Sequence, residues 1–408
     1  MYDVMIVGAG PGGSFTAKLL AEAGYDVILI EKDPLPRDKP CAGWITPQVL
    51  DLVKLNPSQL KCCQPIHGAV LWEPKKDRLY PYVVKYNKPA SYGIRRIEFD
   101  NILTNQAKDA GAEVLDSTTI TNVYRQKKIV FVQAGPDHEL TGKFVVGADG
   151  THSVVAKDLW IRRNWNPSEL VQCIVCETEV GENIQKLTDY YGFPELFLDV
   201  ESNSYSWFFT KGAYLNIGVG VQMSKVTPNR TTQTLYTALL QKLQQINHLT
   251  GVNLAPIKSH VYPVYNGPFN YPTYEDRVIL IGDAGGFPIN ASGEGIRPAL
   301  LSGKFAAETL IKALEHDNTN LDSYHLKWYD ALRNEYILGD LLQLIYSPSN
   351  HQLYKSLFLE DRRFRRLFFD IFFKRKTPRE LVRDFLFYSP FLSLGLLRYG
   401  LNRLQNYH

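Results

Sequence analysis

The sequence predicts an α/β protein of two or three domains, in which a parallel-sheet domain is interrupted by an antiparallel-sheet insert and closed by a helical C-terminal region. Three observations carry this reading. The chain opens strand, glycine turn, helix, strand, and both strands are apolar throughout, as in a parallel sheet covered on both faces. From about 160 to 265 the texture changes to longer β-type segments, after which a buried-strand pattern and a glycine loop return at 278–286. Beyond 320 the pattern is helical, and it becomes basic and aromatic. With 408 residues, 45% hydrophobic and 21% charged, the chain can fill more than one core, and disordered, collagen-like and coiled-coil readings fall away.

In chain order, residues 4–7 read as a strand, 14–23 as a helix and 27–30 as a second strand, followed by a polar, proline-rich loop at 33–44. A helix at 100–109 is closed by Gly111 before a strand at Val114. Strand-like runs at 129–132 and 144–146 lead into Gly147-Ala148-Asp149-Gly150. Within the insert, 205–209 and 214–221 read as strands and 231–244 as a helix, and the strand texture at 69–84 joins the same sheet. The strand at 278–281 is followed by Gly282-Asp283-Ala284-Gly285-Gly286 and a helix at 298–313. The division expected is 1–65, 95–160 and 270–315 for the first domain, 66–94 and 161–269 for the insert, and 316–408 for the helical cap.

Charge and cysteines narrow the function classes. Forty-five basic and 42 acidic residues leave +3, which gives no general case for nucleic acid as a partner. Five cysteines at irregular positions (Cys41, Cys62, Cys63, Cys173, Cys176) do not make a disulfide framework. Cys173 and Cys176 have C-x-x-C spacing in a β-branched run, so their thiols would point to opposite faces, and without a second ligand pair no metal site is expected. No charged leader or cleavage site precedes the first strand. No run reaches the ~18–20 apolar residues of a spanning helix, the nearest, 385–397, being broken by Pro390 and Gly395. The expectation is a cytoplasmic protein, soluble or peripheral on the inner face of a membrane.

Gly8-Ala9-Gly10-Pro11-Gly12-Gly13 fits G-x-G-x-x-G between a strand and a helix. Gly8 allows the turn, Gly10 lets a pyrophosphate approach the backbone, and Gly13 lets helix and strand pack closely. The helix N-terminus supplies free N–H groups to the phosphate. Glu31 ends the second strand eighteen residues past Gly13. A carboxylate there can bind both ribose hydroxyls of an adenosine, and it argues against a 2′-phosphate.

Two further segments, Gly147-Ala148-Asp149-Gly150 and Gly282-Asp283-Ala284-Gly285-Gly286, each end an apolar strand with an Asp beside glycines. In this order the three motifs resemble the flavin-binding superfamily of aromatic hydroxylases, halogenases and geranylgeranyl reductases. The resemblance implies a Rossmann-like FAD-binding domain, with Asp283 on the ribityl chain and the following helix aimed at the flavin pyrimidine. Ser292-Gly293-Glu294-Gly295-Ile296, Lys39-Pro40-Cys41-Ala42-Gly43, Arg96-Ile97-Glu98-Phe99-Asp100 and Tyr205-Ser206-Trp207-Phe208-Phe209 resemble the geranylgeranyl reductase branch, although Ala42 and Thr210 depart from its glycine and proline. The halogenase lysine and W-x-W-x-I-P signatures are absent. By this resemblance the FAD-contacting residues are Gly8, Gly10, Gly12, Gly13, Glu31, Lys32, Ala42, Gly43, Ile45, Arg96, Ile120, Asp149, Asp283, Gly295 and Ile296. The activity implied is reduction of a carbon–carbon double bond in an isoprenoid or other lipid-like substrate, with hydride from flavin N5 and electrons from NAD(P)H or a ferredoxin-type donor. An isolated alkene is not electrophilic, so protonation must lead or accompany hydride transfer, and no residue in the sequence stands out as the acid.

Two other readings stay open: a monooxygenase on the same scaffold, and a flavoprotein passing electrons to membrane quinone. The missing His after Asp283 argues against the first, and the lack of an iron–sulfur cysteine set against the second.

Tyr205, Trp207 and Phe209 alternate along a strand and share one face. They read as the wall of a greasy substrate pocket or as ordinary sheet packing. Cys41 reads as an active-site thiol facing substrate or as a small buried hydrophobe. In the tail, Phe364, Leu367, Phe368, Ile371 and Phe372 form one helical stripe, and residues 358–376 carry seven basic and three acidic residues. Such a helix suits peripheral contact with anionic lipid, and it equally suits packing on the protein's own core.

Overall fold

The computed structural model describes residues 1–384 apart from 76–77, 136–137, 163, 200–203, 266–271, 351–353, 355–360, 378 and 382. The sequence-predicted stretch at 385–397 and the start of the 358–376 segment lie outside the described residues. The first half contains β1 (Tyr2–Val7), α1 (Pro11–Glu22), β2 (Val27–Ile30), β3 (Trp44–Ile45), α2 (Pro47–Val53), β4 (Cys63–Ile66), β5 (Gly68–Lys75), β6 (Arg78–Lys85), β7 (Ser91–Ile94), α3 (Arg96–Asp109), β8 (Glu113–Leu115), β9 (Ile120–Gln126), β10 (Ile129–Ala134), β11 (Glu139–Gly147) and α4 (Val154–Asp158). There follow β12 (Leu170–Glu179), β13 (Glu195–Asp199), β14 (Ser204–Lys211), β15 (Tyr214–Gln222), α5 (Thr232–Gln245), β16 (Lys258–Pro263), β17 (Tyr274–Glu275), β18 (Val278–Leu280), α6 (Gly282–Gly285), α7 (Ile296–Glu315), α8 (Asp322–Ile345) and α9 (Arg362–Phe372).

Among the described residues these strands form three sheets. The first runs β17-β18-β11-β1-β2-β8, and β9 and β10 extend it as an antiparallel meander from β11. Its β18-β11-β1-β2-β8 core is parallel, and Val4, Met5 and Ile6 are fully buried, because helices cover one face and the meander side the other. Helices α1 and α7 pack together through small residues: a Cβ at Gly303 would lie 2.8 Å from Gly12 O. The second sheet runs β16-β12-β15-β14-β13-β5-β6 and is antiparallel except at β13/β5. Its strands come from two separated stretches of chain, which is why 69–84 carries strand texture so far from the rest. The third, β3-β7-β4, ties the loop after β2 to the start of α3.

Helix α3 starts four residues before the predicted 100, because Arg96 and Asp100 bond across one turn inside it. Strand β9 has no strong apolar alternation and is held in the meander by pairing with β10. The tail helix α9 is shorter than the 358–376 pattern. The Asp361 carboxylate accepts from Arg363 N and Phe364 N at 2.7 and 3.2 Å to start it, and Lys374, at φ +53°, follows its end.

Candidate active site

Three of the four glycines in the turn between β1 and α1 are demanded by the protein's own packing. Gly8 has φ +106°, and a Cβ on it would lie 2.3 Å from Ala148 O. One on Gly13 would lie 2.0 Å from Gly8 O, and one on Gly12 2.8 Å from Ala299 O. Gly10 differs. Its φ is −72°, open to any residue, and a Cβ would meet only Arg37, at 4.0 Å. A glycine that neither backbone nor packing requires leaves space in front of a helix N-terminus that has no side-chain cap. A pyrophosphate fits that space.

Glu31, at the end of β2, accepts from Ala9 N at 2.9 Å and from Asp33 N at 3.3 Å, and Arg37 Nε lies 3.3 Å from it. Arg37 also reaches Asp100 at 3.1 Å, and Asp100 accepts two bonds from Arg96, at 2.8 and 2.7 Å. Burial opposes a charge on Asp100, but Arg96, Arg37 and Lys39 outweigh it and hold the carboxyl below its usual range. Asp149 accepts from Val154 N and Val155 N at 2.7 and 3.3 Å through one oxygen. Its other oxygen is buried without a hydrogen-bond partner, and burial pushes the carboxyl up. A buried polar atom left without a partner needs an explanation; Ala148 and Gly150 on either side of Asp149 line the cavity, while Asp149 itself does not.

A single cavity is lined both by Gly10, Gly12 and Gly13 and by the inner face of the second sheet. Asp283, at the start of α6, faces it with Lys39 Nζ 3.6 Å and His260 Nε2 4.0 Å away. Burial, with the Lys39 ammonium next, pushes the His260 imidazole down to about 4, against the pull of Asp283. Ala42, Arg96, Gly295 and Ile296 line the same cavity, as does Thr46, whose buried hydroxyl has no partner. The donors, acceptors and glycine gap fit FAD: an N-terminal cradle for phosphates, carboxylates for hydroxyls, and a helix N-terminus at Gly295.

On the sheet side the cavity becomes an aromatic chamber. Tyr205, Trp207 and Phe209 of β14 line it, with Cys173 of β12, Leu196 of β13 and Phe372 of α9. Phe208, between them, faces the opposite core with Ile217 and Tyr236. Glycines across the strand pair let the rings lie flat: a Cβ at Gly218 would strike the Trp207 ring at 2.2 Å. The Trp207 indole donates to Asn216 Oδ1 at 2.7 Å. Tyr205 and Tyr262 share a hydroxyl–hydroxyl bond of 2.7 Å, and burial raises the pKa of both. Cys41 lines the chamber half-buried, its sulfur 3.3 Å from Gly43 N. Cys173 faces the chamber and Cys176 the opposite core.

Of the sequence-predicted contact residues, Gly8, Glu31, Lys32, Gly43, Ile45, Ile120 and Asp149 are not part of the cavity lining. Lys32 is exposed. Ile45 packs with Phe15 and Ile94, and Ile120 with Val7 and Ile28, so both present side chains to cores. Gly43, at φ +66°, is pressed against Ile94 O. The tail needs a correction. Phe364, Leu367, Phe368 and Ile371 are all under 8% exposed and pack on the chamber-side core, while the Phe372 ring lies tilted, 5.8 Å from Trp44. Arg365 and Arg366 lie over Tyr82 and Tyr86 at 4.5 and 5.0 Å, and Asp370 takes a bond from the Tyr86 hydroxyl at 2.9 Å. The apolar stripe is therefore packed on the protein's own core, the second of its two sequence readings. Sequence reasoning missed His260 and Tyr262, which β16 delivers by pairing with β12 and which carry no motif. It also missed the ion cluster joining Lys374 to Glu294 and Glu335.

The comparisons with known proteins bear on this site. The FAD binding domain family matches residues 1–330. The chain is 30% identical over 347 residues to digeranylgeranylglycerophospholipid reductase 1 of Methanopyrus kandleri, covering 82% of this chain and 88% of that one. It is 26% identical over 413 residues to the chloroplastic geranylgeranyl diphosphate reductase of Nicotiana tabacum, covering 93% and 83%. Among solved structures, a geranylgeranyl bacteriochlorophyll reductase-like protein of Thermoplasma acidophilum shares the fold at TM-score 0.73 and 20% identity, over 87% of this chain and 90% of that one. A halogenase in complex with FAD does so at TM-score 0.70 and 16% identity, over 93% and 85%.

Proposed function

Because the chain belongs to the geranylgeranyl reductase family of FAD-binding oxidoreductases, we propose that it saturates carbon–carbon double bonds of an isoprenoid or similar lipid-like chain. The observation that carries this reading is the shared cavity, with the polar cradle at Gly10 to Gly13 and the aromatic chamber on β14 lining one space. FAD, when bound, supplies the hydride. Gly10, Gly12 and Gly13 would hold its pyrophosphate with Arg96 beside them, Glu31 its ribose, and Asp283 its ribityl hydroxyls. The N-terminus of α7 would favour negative charge at the pyrimidine end.

The chamber's own residues bind and exclude water. Trp207, Phe209, Leu196 and Phe372 offer apolar surface to a polyprenyl chain, at about 25 cal/mol per Å² buried. The Tyr205 and Tyr262 hydroxyls, with pKa values raised by burial, stay protonated at neutral pH and can donate hydrogen bonds without carrying charge. His260 stays neutral there. The electron donor, NAD(P)H or a ferredoxin-type protein, would meet the flavin from outside.

The test is a reaction under nitrogen. Holoprotein reduced by dithionite or NADPH is incubated with a geranylgeranyl lipid, and the product is read by mass spectrometry. Addition of two hydrogens per double bond is expected. An oxygen-containing product formed only in air would sink the reading in favour of a monooxygenase, and reoxidation by quinone with no lipid product in favour of an electron carrier.

A further inference from the structure

Behind the 39–43 loop lies a buried polar cluster. Lys211, the last residue of β14, has no exposed surface. Its ammonium donates to Ala42 O at 3.1 Å and Ile94 O at 3.0 Å and pairs with Glu177 of β12. The other Glu177 oxygen accepts from Arg95 Nε at 3.2 Å. Asn216 of β15 donates to Glu177 and to Cys41 O, both at 3.0 Å, while its oxygen accepts from the Trp207 indole. Three acceptors thus surround the ammonium and two the Asn216 amide, so the buried charge is both paired and hydrogen-bonded. Burial disfavours the charged form of Glu177, but Lys211, with Asn216 and Arg95, more than offsets it and holds the carboxyl below its usual range.

The consequence lies in the peptide planes. The cluster pulls the carbonyls of two consecutive residues, Cys41 and Ala42, toward itself. In a trans peptide the N–H points opposite to the C=O, so the amide of Ala42 is turned away from Asn216, and Ala42 lines the cavity. Gly43 allows this only because it has no Cβ: one there would lie 2.0 Å from Ile94 O and 2.7 Å from Lys211 Nζ. We propose that Lys211, Glu177 and Asn216 are positioning residues that lock the Cys41–Ala42–Gly43 peptides so that the Ala42 N–H is presented to bound FAD, and that Asn216 links this loop to the Trp207 wall. The proposal rests on FAD binding and not on the alkene chemistry, so a failure of the lipid reaction leaves it standing.

The test uses the full chain prepared without flavin. Lys211→Met with Glu177→Leu removes both charges together, so neither is left buried alone. Thermal unfolding of the apoprotein reads folding, fluorescence titration reads FAD affinity, and the visible band of the holoprotein reads the flavin's hydrogen bonding. The apoprotein should melt within a few degrees of wild type. FAD affinity should fall about tenfold, the size of one lost hydrogen bond, with a shifted band and faster alkylation of Cys41 by iodoacetamide, followed by peptide mass mapping. Asn216→Leu, which cuts the links to the Cys41 carbonyl, to Glu177 and to Trp207 but leaves the Lys211–Glu177 pair in place, should shift the same band without the charge change. A folded double variant with wild-type affinity and spectrum would overturn the proposal. Loss of folding in both variants would also count against it, since the cluster would then be core structure and no more.

Discussion

Gly10 and Gly13 lie three residues apart in one turn, yet their missing side chains serve different partners. A Cβ at Gly13 would collide with Gly8 O, whereas one at Gly10 has open space and an ordinary φ. Gly10→Ala should therefore leave the melting temperature of the apoprotein unchanged and weaken FAD, and Gly13→Ala should lower both. Equal effects of the two on folding would mean that Gly10 is structural. Asp283→Ala tests the other end of the cofactor. Charged hydrogen bonds contribute ~1.5–3 kcal/mol, so FAD affinity should drop tenfold or more on titration, and full flavin occupancy in that variant would remove Asp283 from the site. His260 gives a pH test. Its folded pKa of about 4 lies below the ~6.5 of an unfolded histidine, so the unfolded chain binds more protons between those values and stability falls as pH drops through that window. Above about 6.5 the residue costs nothing. His260→Gln should flatten the decline of the melting temperature between pH 6.5 and 4, and an unchanged slope would show that other groups govern it.

At the scale of the element, β14 does two jobs with one alternation. Trp207 faces the chamber and Phe208 the opposite core, and both are buried, at 6% and 0% exposure. Trp207 both lines the cavity and packs in the chamber-side core, so stability alone cannot separate the two readings of the aromatic strand, pocket wall and sheet packing. Either residue changed to Ala should destabilise by ~3–5 kcal/mol. Trp207→Ala should in addition lower turnover per folded, flavin-loaded molecule, while Phe208→Ala should not; equal turnover in the two variants would leave β14 a packing element only. This alternation was legible in the sequence because a strand's period is two and the aromatic residues are large. The glycine turn was legible because each glycine carries a local steric demand. The polar cluster behind the Cys41–Ala42 peptides was not legible: Lys211, Asn216 and Glu177 come from three strands and meet only when β12, β15 and β14 pair. His260 and Tyr262 were hidden for the same reason. The amphipathic stripe of α9 was visible, but helical periodicity says that one face is apolar and not what covers it.

At the scale of the whole molecule, α9 completes the wall of the aromatic chamber. Phe368 and Phe372 contribute to the cavity wall, and Lys374 reaches Glu335 at 2.8 Å and Glu294 at 3.6 Å, joining the tail to α8 and to the glycine segment before α7. No helix among the described residues is long and apolar enough to cross a membrane. Among the described residues of the tail, the groups free to meet an anionic lipid surface are exposed basic side chains such as Arg362, Arg363 and Arg383. Each is worth roughly 1 kcal/mol near an anionic surface, and that attraction collapses in about 1 M salt, where the Debye length is ~3 Å. Liposome co-sedimentation should accordingly show weak binding to anionic vesicles at low salt, none to neutral vesicles, and none at about 1 M. Arg362→Gln with Arg363→Gln should reduce the low-salt binding. Phe364→Ala should leave it unchanged and lower the melting temperature, because that ring is 2% exposed and its loss opens a cavity costing ~3–5 kcal/mol. Binding to neutral vesicles, or binding that survives high salt, would mean that apolar side chains insert, and its loss in Phe364→Ala would place that insertion on α9. A protein that stays in the supernatant even at low salt would make the tail a chamber wall alone, and its lipid would have to reach the cavity without the protein holding to the membrane there.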